Sequence, residues 1–332
     1  MSVAISCAST ALPPRGLLAD EDVLADLWTW NHHGLRTALV TLVGIEGAAP
    51  RPLGAQMAVA EDGRYVGYVS GGCLEQAIVL EAQDVIRRGR NRLVRYGKGS
   101  PYFDIRLPCG SGLDMYFDCS LSPELMGVMA VQRAARKGFV LKSTLTGLAS
   151  EICTLRKGDS HLSTRNGDTF ARVFLPRMRL LLLGSGPALP ALATLAGAVG
   201  IETEIWSPDE TTRRMILGAG LAASGAARLG ESAIDRLDSS SAVVLVFHEH
   251  DIEPQIIEKV LRRDCFYIGV LGNRAVHQQR LQALAALGVD AADLARLRAP
   301  VGAIHGAKTK ATLAVGILAE LLGEAKIRNL VA

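Results

Sequence analysis

Residues 179–209, RLLLLGSGPALPALATLAGAVGIETEIWSPD, decide the fold. Leu180 to Leu183 read as a buried strand. Gly184-Ser185-Gly186 forms a tight loop, the apolar stretch after it a buried helix, and ETEIW a second strand, so the whole is one βαβ unit. The 22 residues from Leu180 to Ile201 carry no charge, which is long enough for a membrane span. Four glycines and two prolines within them fit a strand, a turn and a buried helix better. Further along, SSAVVLVFHEHD (240–251) reads as another buried strand followed by a helix, and CFYIGVLG (265–272) as one more strand with a glycine at its end. This alternation predicts a parallel, doubly wound sheet.

The first half has a different character, and the change falls near Pro176. Residues 21–34 predict a helix closed by Gly34, and RTALVTLVGIEG predicts a strand. QMAVAEDGRYVGYVSGG predicts a hairpin, since Asp62-Gly63 is a strong turn signal. Strands are expected at 92–96 and 113–118, a helix at 122–137, and two or more strands within 138–175 around a turn at RNGD. The fold class is therefore α/β: an N-terminal α+β domain with a mixed sheet and connecting strands (1–176), then a C-terminal Rossmann-like doubly wound parallel sheet (177–332). With 332 residues, 49% hydrophobic and 21% charged, the chain can bury a large core in two domains. A net charge of +3 without an aromatic-interleaved basic stripe gives no reason to expect nucleic acid as a partner. The N-terminus lacks a basic start before its apolar stretch and is broken by Pro13 and Pro14, so neither secretion nor a membrane is expected. Cys7, Cys73, Cys109, Cys119, Cys153 and Cys265 are scattered without a CxxC pair, which fits reduced thiols in the cytoplasm.

Several stretches are candidates for chemistry. In SGGCLEQA (70–77) Cys73 follows a serine-glycine turn and stands where a helix begins. The glycines admit positive φ and close approach, and a helix N-terminus favours an anion and lowers a thiol pKa. The alternative is a small residue packed in a tight turn. Cys109 heads a second thiol-glycine loop, LPCGSGLD. Gly184 and Gly186 precede a helix, the setting for phosphate binding by backbone amides, but Leu189 occupies the third glycine position. The second strand ends in Ser207 where a ribose-binding acid is wanted, and Asp209 comes two residues late, which weakens an NAD(P)-dependent oxidoreductase. HEHD (248–251) follows a strand end and reads either as a ligand or proton-carrying cluster or as a polar loop. Arg87, Arg88, Arg90, Arg92, Arg95 and Lys98 read as an anion-attracting stretch or a solvated helix end, and His32-His33 beside Trp28 and Trp30 as surface or interface residues.

Four ordered motifs between about residues 40 and 322 carry a family resemblance. GAAPRPLGAQMAVAEDGRYVGYVSGGCLEQA, LPCGSGLD, YIGVLGNRAVHQQRL and RAPVGAIHGAKTKATLAVGILAELL resemble the segments of the xanthine dehydrogenase accessory factor family, the XdhC/CoxI proteins. The resemblance implies an accessory or maturation factor. Such a protein binds and protects the molybdenum cofactor (molybdopterin or its cytosine dinucleotide form) and assists its sulfuration with a cysteine desulfurase. It then inserts the cofactor into an apo molybdenum hydroxylase of the xanthine dehydrogenase or aldehyde oxidoreductase type. A cofactor nucleotidyltransferase and a second copy of the chain, giving a homodimer, are further implied partners. Carried onto this sequence, the cofactor-binding residues are Arg51, Gly54, Ser70, Gly71, Gly72, Cys73, Glu75, Cys109 and Gly110, with Cys73 as the neighbour of molybdenum. In the second domain they are Gly184, Gly186, Gly272, Asn273, Arg274, His277, Gly302 and Gly306. Pro187, Asn273-Arg274-Ala275, Ile304 and Lys308 depart from the family pattern and put nucleotide or metal chemistry of that domain in doubt. The loops at 70–75 and 184–187 are expected to face one cleft.

Overall fold

A computed structural model describes residues 23–100, 110–147, 149–156, 158–225, 231–247 and 253–331. Three sheets follow one another along the chain. The first has the order β3-β2-β1-β5-β4. Its strands are β1 (Thr37–Glu46), β2 (Gln56–Ala60), β3 (Tyr65–Gly67), β4 (Arg92–Gly97) and β5 (Gly112–Asp118), with α1 (Leu24–His32) before them and α2 (Glu75–Arg88) between β3 and β4. After α3 (Pro123–Ala134) comes a second sheet of β6 (Phe139–Thr144), β7 (Ser150–Thr154), β8 (Thr164–Asn166) and β9 (Thr169–Phe174), in the order β7-β6-β9-β8. All pairs in both sheets are antiparallel, where the sequence reading has a mixed sheet. Hairpins join most neighbours, and α2 brings the chain back so that β4 also runs against β5.

The middle of β1, residues 38–43, is buried without alternation because both faces of its sheet are covered there. Ala38, Val40 and Leu42 pack with Ile78, Ala82 and Val85 of α2. Leu39 faces the other way, into a core with Leu27, Trp30, Met126 and Phe139. Ser122 caps α3 by accepting from the Leu125 amide, with Pro123 at the first helical position, the pairing expected at a helix start.

The third sheet is parallel, in the order β11-β10-β12-β13-β14. It comprises β10 (Arg179–Gly184), β11 (Glu202–Trp206), β12 (Ser241–Val246), β13 (Tyr267–Val270) and β14 (Leu297–Arg298). Its helices are α4 (Ala188–Ala198), α5 (Glu210–Gly218), α6 (Glu231–Asp235), α7 (Glu253–Leu261), α8 (Arg274–Ala286), α9 (Ala291–Leu294) and α10 (Lys310–Ile327). A parallel bridge from Trp206 to Ser224 adds one residue pair beyond β11. Counted as a vestigial strand, it gives the order 3-2-1-4-5-6 of a Rossmann sheet. The four leucines of β10 are all buried: Leu180 and Leu182 pack with α4 and α10, Leu181 and Leu183 with α7.

The two halves are tied together at the amino edge of the parallel sheet. Arg136, just past α3, makes two hydrogen bonds to Asp238, which also faces Arg179 at the start of β10. His161 Nδ1 lies 3.3 Å from the Arg328 carbonyl oxygen. A cavity of about 370 Å3 opens at this edge, lined by His161 from the first half and by Ser239, Tyr267, Arg296 and Arg328 from the second.

Candidate functional site

Three loops meet at one end of the first sheet. β1 ends there, β2 begins there, β3 ends there and β5 begins there, as the antiparallel register requires. The loop after β1 runs Gly47-Ala48-Ala49-Pro50-Arg51-Pro52-Leu53-Gly54. A Cβ added to Gly47 would touch Ser111 at 3.5 Å, and one added to Gly71 would touch Pro50 at 3.5 Å. The loops containing Gly54, Ser70–Cys73 and Gly110-Ser111 are therefore neighbours. Gly54, at φ +88°, is buried where the second sheet closes over the first, and a side chain there would collide with Ser163 and Arg172.

The turn before α2 is held by Glu75. Its Oε1 accepts from the Val69 and Ser70 amides at 3.3 and 3.0 Å, and its Oε2 from Ser70 Oγ at 2.7 Å and the Leu74 amide at 3.2 Å. Ser70 Oγ in turn accepts from the Leu74 amide at 3.0 Å. Burial would raise the Glu75 pKa, but the hydrogen bonds from Ser70, Glu75's own amide and Leu74 outweigh it and hold the carboxyl below its ordinary range. Glu75 thus shapes the turn from within. Gly71 and Gly72, at φ +83° and +110°, form the exposed crest, which only glycine enters without strain. Cys73 follows, two residues before the first helical residue, exposed and with Sγ 3.8 Å from the Ser70 carbonyl. Among the other described thiols, Cys119 and Cys153 are half-buried and Cys265 is buried. Burial raises the Cys119 pKa, and burial pushes Cys265 up to about 12. Cys109 lies outside the described residues, as does HEHD, 248–251; Gly110, next to Cys109, is exposed at φ +67°.

The glycine loop after β10 is closed on itself. Gly184 has φ +138°, and a Cβ there would overlap the Val246 carbonyl oxygen at the end of β12. The Ser185 amide donates to that oxygen at 2.7 Å. The Gly186 amide donates to Thr212 Oγ1 at 2.8 Å, and position 187 is proline, without an amide hydrogen. Asp209, the residue nearest to a ribose-binding acid, instead caps α5 by accepting from the Thr212 amide and hydroxyl. Hydrogen bonds from Thr212 hold its pKa down. The loop thus offers few of the donors a pyrophosphate uses.

The other carboxyl-edge residues gather after β13 and β14. Gly272 has φ +144°, and Asn273 caps α8 by accepting from the Val276 amide at 2.9 Å. Arg274 is exposed, while His277 is half-buried and its pKa is lowered by burial and then by Arg280. Gly302 donates its amide to Glu320, and Gly306 is exposed. Sequence reasoning missed two features. One is Thr212, which shuts the glycine loop. The other is the buried pair Arg280–Glu253, 3% and 1% exposed, beneath the Gly272 turn. Arg280 could have been found, since 273, 277 and 280 share one helical face; Thr212 leaves no local signal. Most of the basic run 87–98 is paired: Arg87 and Arg88 with Asp84, Arg92 with Glu81, Arg95 with Glu46 and Asp114, and Lys98 with Glu46. His32 stacks on Trp28 at the surface. No helix among the described residues is long and apolar enough to cross a membrane.

The architecture is that of an α/β protein with antiparallel sheets leading into a Rossmann domain, with a loop-borne thiol on the first part. Family models agree: residues 30–97 match the XdhC and CoxI family, and residues 180–321 match the XdhC Rossmann domain. The chain belongs to the XdhC and CoxI family. It is 35% identical over 291 residues to the molybdenum cofactor insertion chaperone PaoD of Escherichia coli (strain K12), a match covering 87% of this chain and 83% of that one. It is 24% identical to a probable xanthine dehydrogenase subunit of Bacillus subtilis (strain 168), over 86% of this chain and 92% of that one. A crystal structure described as a xanthine dehydrogenase from Bacillus halodurans shares the fold, with a TM-score of 0.70 at 21% identity, covering 92% of this chain and 96% of the other.

Proposed function

We propose that this protein is a chaperone for the molybdenum cofactor, which it binds, shields and inserts into an apo molybdenum hydroxylase of the xanthine dehydrogenase or aldehyde oxidoreductase type. The observation that carries the reading is the meeting of three glycine-bearing loops at one end of the first sheet, one of them carrying the exposed Cys73. The family membership and the relative named as an insertion chaperone support it. The cargo brings soft molybdenum–sulfur chemistry and at least one phosphate. A thiol is a soft neighbour for the metal, and amides on positive-φ glycines suit anionic oxygens. In this reading Cys73 stands beside the metal and guards its terminal sulfido ligand. Arg51, Gly71, Gly72 and Gly110 form the walls, Cys109 adds a second thiol, and the buried Gly54, Ser70 and Glu75 fix the loops that carry them.

The finer assignments belong to the same proposal. Residues 1–176 and 177–332 act as two domains of a cytoplasmic homodimer. A cysteine desulfurase supplies sulfur, and a nucleotidyltransferase hands over the cofactor where the cargo is its cytosine dinucleotide form. The test is anaerobic purification from a cofactor-replete host with metal and pterin-nucleotide analysis, followed by transfer to an apo hydroxylase. Stoichiometric pterin and restored hydroxylase activity are expected. Protein that carries neither molybdenum nor pterin and activates no apo hydroxylase refutes the reading.

A further inference from the structure

We propose that the anion seat of the Rossmann domain lies at the turn between β13 and α8 rather than at the glycine loop after β10, and that it takes a phosphate or pyrophosphate group. At the glycine loop the Ser185 and Gly186 amides already donate to Val246 and Thr212, and residue 187 is proline. At α8 the situation is reversed. Asn273 satisfies the Val276 amide, while the amides of Arg274 and Ala275 stand at the open start of a 13-residue helix, where neither has an intrahelical acceptor. Arg280 reaches back beneath this turn: its Nη2 donates to the Leu271 carbonyl at 2.8 Å and lies 3.2 Å from where a Gly272 Cβ would stand.

Glu253 takes Nε and Nη2 of that guanidinium, but Nη1 is buried with no acceptor. His277 Nδ1, one helical turn earlier, is buried and lacks a partner as well. Buried donors without acceptors are rare because each costs the desolvation of a polar group. Arg280 Nη1 and, in the tautomer protonated at Nδ1, His277 are two such donors on one helix face, and they mark a place where an acceptor is supplied by a ligand. Arg274 is exposed and has no acidic partner among the described residues, so it adds charge at the rim. Because Glu253 neutralises Arg280, the seat holds its ligand through hydrogen bonds and the helix start rather than through excess charge. This permits exchange.

The test is calorimetric titration of the full-length protein with inorganic pyrophosphate in phosphate-free buffer, with the His277 ring followed by NMR. Binding at one site per chain is expected, with the His277 pKa rising as the anion arrives. His277→Gln and Arg274→Ala should each weaken binding by about tenfold, the effect of losing one hydrogen bond to a charged group. Thr212→Val, which unlocks the glycine loop, should leave it unchanged. Absence of binding at millimolar pyrophosphate overturns the proposal, as does indifference to both α8 variants or a response to Thr212→Val. Should His277→Gln fail to melt cooperatively, Arg274→Ala, at an exposed position, still decides. Pyrophosphate carries no molybdenum, so the seat and the chaperone reading fail separately: lost cofactor transfer leaves the seat standing, and absent pyrophosphate binding leaves cargo capture at Cys73 standing.

Discussion

Glu75→Gln keeps the shape of the side chain at the Cys73 turn and removes its charge. The carboxylate serves four donors, two on each oxygen. A carboxamide has one oxygen. Turned toward the Val69 and Ser70 amides, it presents its NH2 to Ser70 Oγ and to the Leu74 amide. The hydroxyl can rotate to accept, while the Leu74 amide keeps only its 3.0 Å bond to that hydroxyl. One acceptor leg and the charge assistance are lost, about 1–3 kcal/mol. Native-state hydrogen exchange at Ser70 and Leu74 reads this directly: the protection of these amides should fall by roughly 5- to 150-fold, with Val40 in the core of β1 unaffected. Acid should mimic the mutation. The Glu75 pKa is held below its ordinary value of 4.5, so its contribution is complete above that value and disappears as pH falls through the folded-state pKa. The wild-type turn should loosen there, and the Gln variant should show no such step. Unchanged protection of Ser70 and Leu74 in Glu75→Gln would refute the claim that this carboxylate holds the turn.

Cys73→Ser should melt within about 0.5 kcal/mol of wild type, since the side chain is exposed, yet retain less molybdenum and activate less hydroxylase; equal cofactor content in both proteins would leave the thiol without a role. Gly184→Ala should destabilise by more than about 4 kcal/mol or prevent soluble expression, because its Cβ overlaps the Val246 carbonyl at a positive φ; a normal melting curve would contradict the closed loop. Calorimetry should show NAD(H) and NADP(H) binding no tighter than inorganic pyrophosphate, because Asp209 and the Gly186 amide are engaged elsewhere and add no ribose or glycine-loop contact; clearly tighter dinucleotide binding would contradict the closed loop. For Asp238, burial raises the pKa, but Arg136, Ser241 and Arg179 outweigh it and depress it. The tie between the halves should therefore be intact at neutral pH and lost as pH falls through that depressed value, seen as an increase in radius of gyration that Arg136→Ala already shows at pH 7.

What the sequence reveals about this fold is what leaves a local trace. Leu180–Leu183 and the glycines after them mark the βαβ unit, and Asp62-Gly63 marks the β2–β3 hairpin, where Gly63 takes φ +87°. Ser122-Pro123 marks the start of α3 to within a residue of the expected 122. Hidden are contacts between residues distant in sequence. Thr212 reaches Gly186 across 26 residues and Glu253 meets Arg280 across 27, and neither pair has a period or a motif. β8 is fully exposed, so no apolar alternation announces it. The third Rossmann strand has shrunk to the Trp206–Ser224 bridge and is silent for the same reason. At the candidate site, the thiol and the glycines were legible as residue types. Glu75 is legible as a candidate cofactor-binding acid, whereas its inward orientation arises only once the turn is folded around it.

Fastening the two halves through Arg136–Asp238 and His161–Arg328 gives the Rossmann domain a lever arm. Its pivot is the root of β10 and β12, and its tip is the Gly184–Gly272 edge. Six residues of β10 span roughly 17 Å at about 3.3 Å per residue. A rock of about 10° around the pivot therefore sweeps the tip by about 3 Å while the pivot itself hardly moves, the length of one hydrogen bond. The loops that carry Gly184 and Gly272 are thus the part of the domain most displaced by any such rotation, and the contacts at the pivot are the part least disturbed.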